Sequence, residues 1–183
     1  GATLTIEAGT KLNVTEDVTI TIDGDLEIQG TVADPVSIWG SWVAETSIQA
    51  RWQGFLLNSG SSADVAHAEI SDSRGGFDVE SGSSLSIEST NLTDTIIGVW
   101  AKGSVSGNGF ACDSATTSCL RVDGITILSG IASTNSAEAV HVHAAGDANI
   151  GLTTSTNDAD VIVLDDGSTF YGEVHAEGFT RLI

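Results

Sequence analysis

Apolar residues fall at every second position in the opening stretch of this chain. Leu4 and Ile6, then Leu12 and Val14, then Val18, Ile20 and Ile22, then Leu26 and Ile28 alternate with polar neighbours. Successive side chains of an extended strand point to opposite faces, so each run predicts a strand with one face turned inward. Ala8-Gly9-Thr10 and Asp23-Gly24 interrupt the alternation where turns belong. Local turns of this kind suggest hairpins as the first arrangement to consider.

The stretch from Gly54 to Val99 points to a different arrangement. Ser59-Gly60-Ser61-Ser62 returns letter for letter as Ser81-Gly82-Ser83-Ser84, 22 positions on, and Ser71-Asp72-Ser73 returns as Thr93-Asp94-Thr95. Gly54-Phe55, Gly76-Phe77 and Gly98-Val99 mark the same place in three successive units. A period of this size belongs to repeat architectures, in which each unit buries its apolar face only by stacking on the next. The chain is therefore expected to wind continuously, each strand lying parallel on its counterpart one coil earlier. Val140-His-Val-His143 and Val161-Ile-Val-Leu164 stand 21 apart, as do Gly146/Gly167 and Gly151/Gly172, so the winding continues to the end.

The resulting expectation is an all-β, single-domain, right-handed parallel β-helix over residues 1–183, with about eight coils of roughly 22 residues. Its handedness follows from the rule for parallel crossovers, and each coil would rise ~4.8 Å. Two irregular insertions are expected. One, near 32–50, holds the only Pro together with Trp39 and Trp42. The other, near 103–120, begins Gly103-Ser-Val-Ser-Gly-Asn-Gly and contains both cysteines.

Leu4-Thr-Ile-Glu-Ala-Gly-Thr-Lys-Leu12, then Ile22-Asp-Gly-Asp-Leu-Glu-Ile28 and Gly30-Thr31, resembles the opening coils of right-handed parallel β-helix proteins. Trp52-Gln-Gly-Phe55 resembles their W-x-G-I coil. That pectate-lyase-like superfamily includes surface adhesins, autotransporter-like passengers, phage tailspikes and pectin-degrading enzymes. The resemblance implies a fold and an extracellular setting, and leaves activity open.

Charge narrows the partners. Lys and Arg number 6 against 25 Asp and Glu, a net charge of −19. Nucleic acid and anionic lipid surfaces both require clustered cations, so neither is expected as a partner. No window approaches the ~18 apolar residues of a membrane span. The chain opens at Gly1 without Met or signal peptide, which reads as a processed mature chain. Cys112 and Cys119, with six residues between them in a polar loop, are expected to form a disulfide in an oxidising compartment. Asn13-Val-Thr15 and Asn91-Leu-Thr93 are glycosylation sequons and agree with that placement.

Few residues suggest chemistry. Asp72 and Asp94 fall one above the other at a period of 22, as candidate Ca²⁺ ligands or as turn residues, a role in which Asp is common. Asp158, Asp160, Asp165 and Asp166 make a second acidic cluster. Glu80 and Lys102, also 22 apart, predict a salt bridge between coils. His141 and His143 share one strand face, as two metal ligands would, with no third ligand evident. No cofactor is required by any of these. Of the pectin-degrading, carbohydrate-active enzymes in that superfamily, the resemblance implies Ca²⁺ carboxylates with an Arg or Lys base for a lyase. For a hydrolase it implies paired Asp with Gly-His-Gly and Arg-x-Lys signatures, and neither triplet occurs. Asp165 and Asp166 are adjacent, so their side chains would face opposite ways.

Trp52 and Trp100 sit beside the recurrent glycines and are expected in the core or its seams, leaving Trp39 and Trp42 as candidate glycan contacts. Solenoids normally cap their ends, and no cap is evident after Phe179. The leading expectation is a non-catalytic extracellular subunit that stacks end to end into a homo-oligomer, through Leu4 and Ile6 at one end and Phe179, Leu182 and Ile183 at the other. The alternative is a segment of a long adhesin binding glycans or partner cells.

Overall fold

The computed structural model describes residues 1–41, 51–179 and 181. Every strand pairing in it is parallel, and the strands wind into a β-solenoid of about eight coils with three faces. The first coil holds β1 (Thr3–Glu7), β2 (Lys11–Val14) and β3 (Thr19–Ile22), one strand per face. The second holds β4 (Asp25–Gln29), β5 (Val36–Gly40) and β6 (Gly54–Leu57), and the third β7 (Ser62–Ala66), β8 (Ala68–Ser71) and β9 (Gly75–Val79). From the fourth coil onward the first two faces are served by one long strand. These are β10 (Ser84–Thr93), β12 (Ser104–Asp113), β14 (Ile125–Thr134), β16 (Asp147–Thr156) and β18 (Thr169–Glu177). The third face continues as β11 (Ile97–Ala101), β13 (Ser118–Val122), β15 (Glu138–Val142) and β17 (Asp160–Leu164). There is no helix among the described residues, and so none long and apolar enough to cross a membrane.

The period comes from stacking like upon like. Phe55 lies over Phe77 with ring centroids 5.1 Å apart, and Trp52 meets Phe55 edge-on at 5.5 Å. Above them Val99, Leu120, Val140 and Ile162 continue the same buried column, one residue per coil. Trp52 is fully buried and its indole N–H donates to the Ser71 carbonyl at 2.9 Å, in line with its expected core position. The corner between the second and third faces is turned by a residue in the left-handed region. Asp72, Asp94, Ser114, Asn135 and Asn157 occupy it in successive coils, with φ between 52° and 61°. Short polar side chains tolerate that conformation better than any others except glycine, which explains the residue types at this period.

Several expectations are corrected. Residues 103–120 do not leave the solenoid, because they form β12, its corner and the start of β13. The polar, glycine-rich sequence misled because two of its glycines answer backbone crowding. A Cβ on Gly109, which has φ +108°, would lie 1.6 Å from the Gly130 carbonyl oxygen. The stretch near 32–50 is only partly an insertion, since β5 lies within it and pairs with both β2 and β8. Trp42 and residues 43–50 lie outside the described residues. β16 and β18 shift to a register of 21 from Leu152 onward, but between β15 and β17 it is 22, with Val140 opposite Ile162 and Val142 opposite Leu164. A spacing of 21 is out by one position, and in a strand one position exchanges inward for outward.

Candidate functional site

The outward positions of the third face gather most of the chemically distinctive side chains. Asp78, Trp100, Arg121 and His141 stand in register on β9, β11, β13 and β15. Lys102, Asp123, His143 and Asp165 form the adjoining column, each held by a backbone N–H bond to the coil before. Inward neighbours such as Val122, Val140 and Val142 are fully buried, which fixes these side chains outward by strand alternation.

The lower part of the face is an ion-pair and cation–π network. Lys102 Nζ lies 2.8 Å from Asp78 and 2.6 Å from Glu80, so the expected bridge to Glu80 forms and gains a second carboxylate. Burial alone would lower the Lys102 pKa. The hydrogen bonds and charges of Asp78 and Glu80 outweigh that and hold it above its ordinary value. Lys102 and Arg121 both lie over the Trp100 ring, at 3.9 and 4.5 Å from its centroid, while the indole N–H donates to Asp123. Trp100 thus faces outward, half-buried beneath two cations, and not into the core as its place beside the recurrent glycines suggested.

The upper part is a histidine–carboxylate cluster. The His141 and His143 rings stack with centroids 4.0 Å apart and planes 15° from parallel. Glu138 Oε2 lies 3.0 Å from His141 Nδ1, and also accepts from the Ser118 hydroxyl. Asp165 reaches both rings, Oδ1 lying 3.4 Å from His141 Nε2 and Oδ2 3.0 Å from His143 Nδ1. Asp123 Oδ1 stands 3.8 Å from His143 Nδ1. Burial, then the neighbouring His141 and Arg121, hold the His143 imidazole below its ordinary pKa against the pull of Asp123 and Asp165. Among the described residues, His141, His143 and Asp165 make the group whose ligand atoms could hold a metal, all within 4.8 Å of one another.

No protein-family model, no curated protein and no solved structure matches the chain.

The third ligand was readable in principle, since Asp165 lies 22 residues after His143. The other members of the second acidic cluster disperse. Asp158 is buried and accepts from the Ser136 backbone N–H and the Ser155 hydroxyl, while Asp160 pairs with Arg181 at 2.8 Å. Asp72 and Asp94 occupy equivalent corner positions, and the Asp72 carboxylate accepts from the Ser71 hydroxyl. Asn13 and Asn91 are exposed on the second face. Trp39 is half-buried on that face, beside a surface hollow of about 460 Å³ lined also by Glu69, Asn91 and Asp94.

The expected disulfide is not formed, and Cys112 and Cys119 are free and buried. Both point into the coil interior from either side of the β12–β13 corner, where they pack as small apolar side chains. Burial, followed by a hydrogen bond to the Cys112 thiol, pushes the Cys119 thiol well above its ordinary pKa. Of the proposed end residues, Leu4 and Phe179 are exposed, Ile6 is already buried in the first coil, and Leu182 and Ile183 lie outside the described residues.

Proposed function

We propose that this chain is a non-catalytic structural β-solenoid of an extracellular or cell-surface assembly, stacking coil on coil with further copies of itself. The observation that carries this is the state of the outermost strands. Among the described residues β1, β2 and β3 pair only toward the second coil and β18 only with β16, while β17 pairs with β15 and is bridged at Asp160 by Arg181. The described strands β1 to β3 and β18 therefore present parallel edges that another coil can extend. Exposed Leu4 and Val18 at one end, and Leu164 and Phe179 at the other, supply apolar contact. The sequence resemblance to right-handed parallel β-helix proteins of cell surfaces supports the same reading, as do the two exposed sequon asparagines.

Electron microscopy of unconcentrated protein tests it. Filaments with an axial repeat of about 40 Å, eight coils at the strand spacing, are the expected result. Monodisperse single particles across a salt series would overturn it. A second reading rests on the hollow beside Trp39, where an indole, two carboxylates and an amide converge as they do in sugar sites. On that reading the chain is an adhesin segment, and Trp39→Ala would abolish capture on a glycan array.

A further inference from the structure

We propose that His141, His143 and Asp165 form a site for a divalent transition-metal ion of the Zn²⁺ class on the third face of the solenoid. Three observations on the molecule point to it. First, the spacing fits. Bonds of 2.0–2.1 Å in a tetrahedron place neighbouring ligand atoms about 3.3 Å apart. His141 Nε2 lies 3.4 Å from Asp165 Oδ1 and His143 Nδ1 3.0 Å from Asp165 Oδ2. One ligand atom from each residue lies within 4.8 Å of the others, so side-chain rotations draw the cluster onto an ion.

Second, the outer partners are of the kind that orient a ligating imidazole. Glu138, an acceptor when ionised, sits on His141 Nδ1 and fixes the ring proton there. His141 Nε2 then turns a lone pair toward Asp165 Oδ1, acceptor facing acceptor at 3.4 Å. A metal ion between them converts that repulsion into two bonds.

Third, the three ligands are placed by the fold and not by a loose turn. His141 stands on β15 and His143 directly after its end, where its backbone N–H bonds to the Val122 carbonyl, and Asp165 comes from the next coil, directly after β17. Asp165 remains accessible, with 42% of its side chain exposed, which leaves a coordination position for water or for a donor from another molecule. Ligation through His143 Nδ1 moves the ring proton to Nε2, which is buried without a partner. That cost places the site below closed structural zinc centres in affinity.

The set favours zinc over calcium, because two imidazoles are poor ligands for a hard cation that prefers six to eight oxygens. The alternative occupant is a proton. A doubly protonated His141 between Glu138 and Asp165 would satisfy the same distances without any metal.

Isothermal titration of the EDTA-stripped full chain with ZnCl₂ at pH 7.5 separates the two. One site with a dissociation constant below about 10 µM is expected, with no competition from tenfold more Ca²⁺. His143→Ala and Asp165→Asn should each weaken binding at least tenfold, and Glu138→Gln by about tenfold through the orientation of His141. His67→Ala and His175→Ala, both remote from the cluster, should leave it unchanged. Circular dichroism of each variant establishes that it is folded. As a second readout, Zn²⁺ should raise the melting temperature of the parent chain but not that of Asp165→Asn. Absence of saturable binding up to about 1 mM, or undiminished binding in the folded His143→Ala variant, would overturn the assignment. The first result would leave an imidazolium–carboxylate network, and the second would leave adsorption to the acidic surface.

Discussion

Lys102, the residue directly after β11, holds its ammonium group 3.9 Å from the centre of the ring of Trp100, two positions earlier in the chain. That stem, lying over an indole, brings the charge between Asp78 on the coil below and Glu80 beside it. The arrangement has a consequence for pH. The folded-state pKa of Lys102 is raised, so its contribution is fully present below the unfolded value near 10.5 and is lost as pH climbs through the higher folded value. Denaturation midpoints should therefore fall more steeply above pH 10 in the parent than in Lys102→Met. At neutral pH that substitution should cost about 1 kcal/mol, because the pair is partly exposed and screened. Equal alkaline slopes for the two proteins would show that the network contributes nothing.

Two glycines with positive φ should respond very differently to alanine. Gly60, at φ +86°, has open space where a Cβ would go, so Gly60→Ala should cost about 1 kcal/mol of backbone strain. At Gly109 the added carbon would collide with the Gly130 carbonyl of the next coil. Gly109→Ala should cost at least about 3 kcal/mol or prevent folding. Urea titrations compare the two directly.

The left-handed corner offers a test that separates turn geometry from charge. Asp94→Asn and Asp94→Gly should leave stability within about 0.5 kcal/mol of the parent, since both residues accept φ near 52°. Asp94→Val should lose about 1–2 kcal/mol, because a β-branched side chain resists this conformation. If calcium were held here, Ca²⁺ would raise the melting temperature of the parent and not of Asp94→Asn.

The thiols should be silent in the native protein. Cys112 and Cys119 are both buried, and burial suppresses the thiolate of Cys119. A maleimide should label neither cysteine before unfolding and both after it. Labelling of the native chain would mean that the corner between β12 and β13 opens locally. Cys119→Ala should cost about 1–2 kcal/mol through the small cavity it leaves.

The fold was legible because a solenoid repeats its physical demands. Every coil must place an apolar residue above the one before, so Phe55 and Phe77 advertise the same position. Where backbone packing replaced side-chain packing, as at Gly107 and Gly109, alternation vanished and the strand β12 could not be read. The triangular cross-section was equally hidden, since its corners are written in left-handed φ values and not in hydrophobicity. The histidine cluster was half legible. Two histidines on one strand face need only the period-two rule, but their carboxylate comes from the next coil. A register of 21 assigns Leu164 to that place, where 22 assigns Asp165. The cysteines misled for a related reason: the sequence shows how far apart they are, and not that both face the interior.

β4 and β7 remain aligned residue for residue from Asp25–Ser62 to Gln29–Ala66, although 37 positions separate partners that stand 22 apart between β1 and β4 and between β7 and β10. The second coil carries this added length between its strands, from Gln29 to Val36 and from Gly40 to Gly54, without shifting a single rung on its first face. Contour length at a corner is thus uncoupled from the lattice of the walls. The wall behaves as a chassis, and its corners as sockets that can lengthen, shorten or exchange their contents while the stack keeps its pitch.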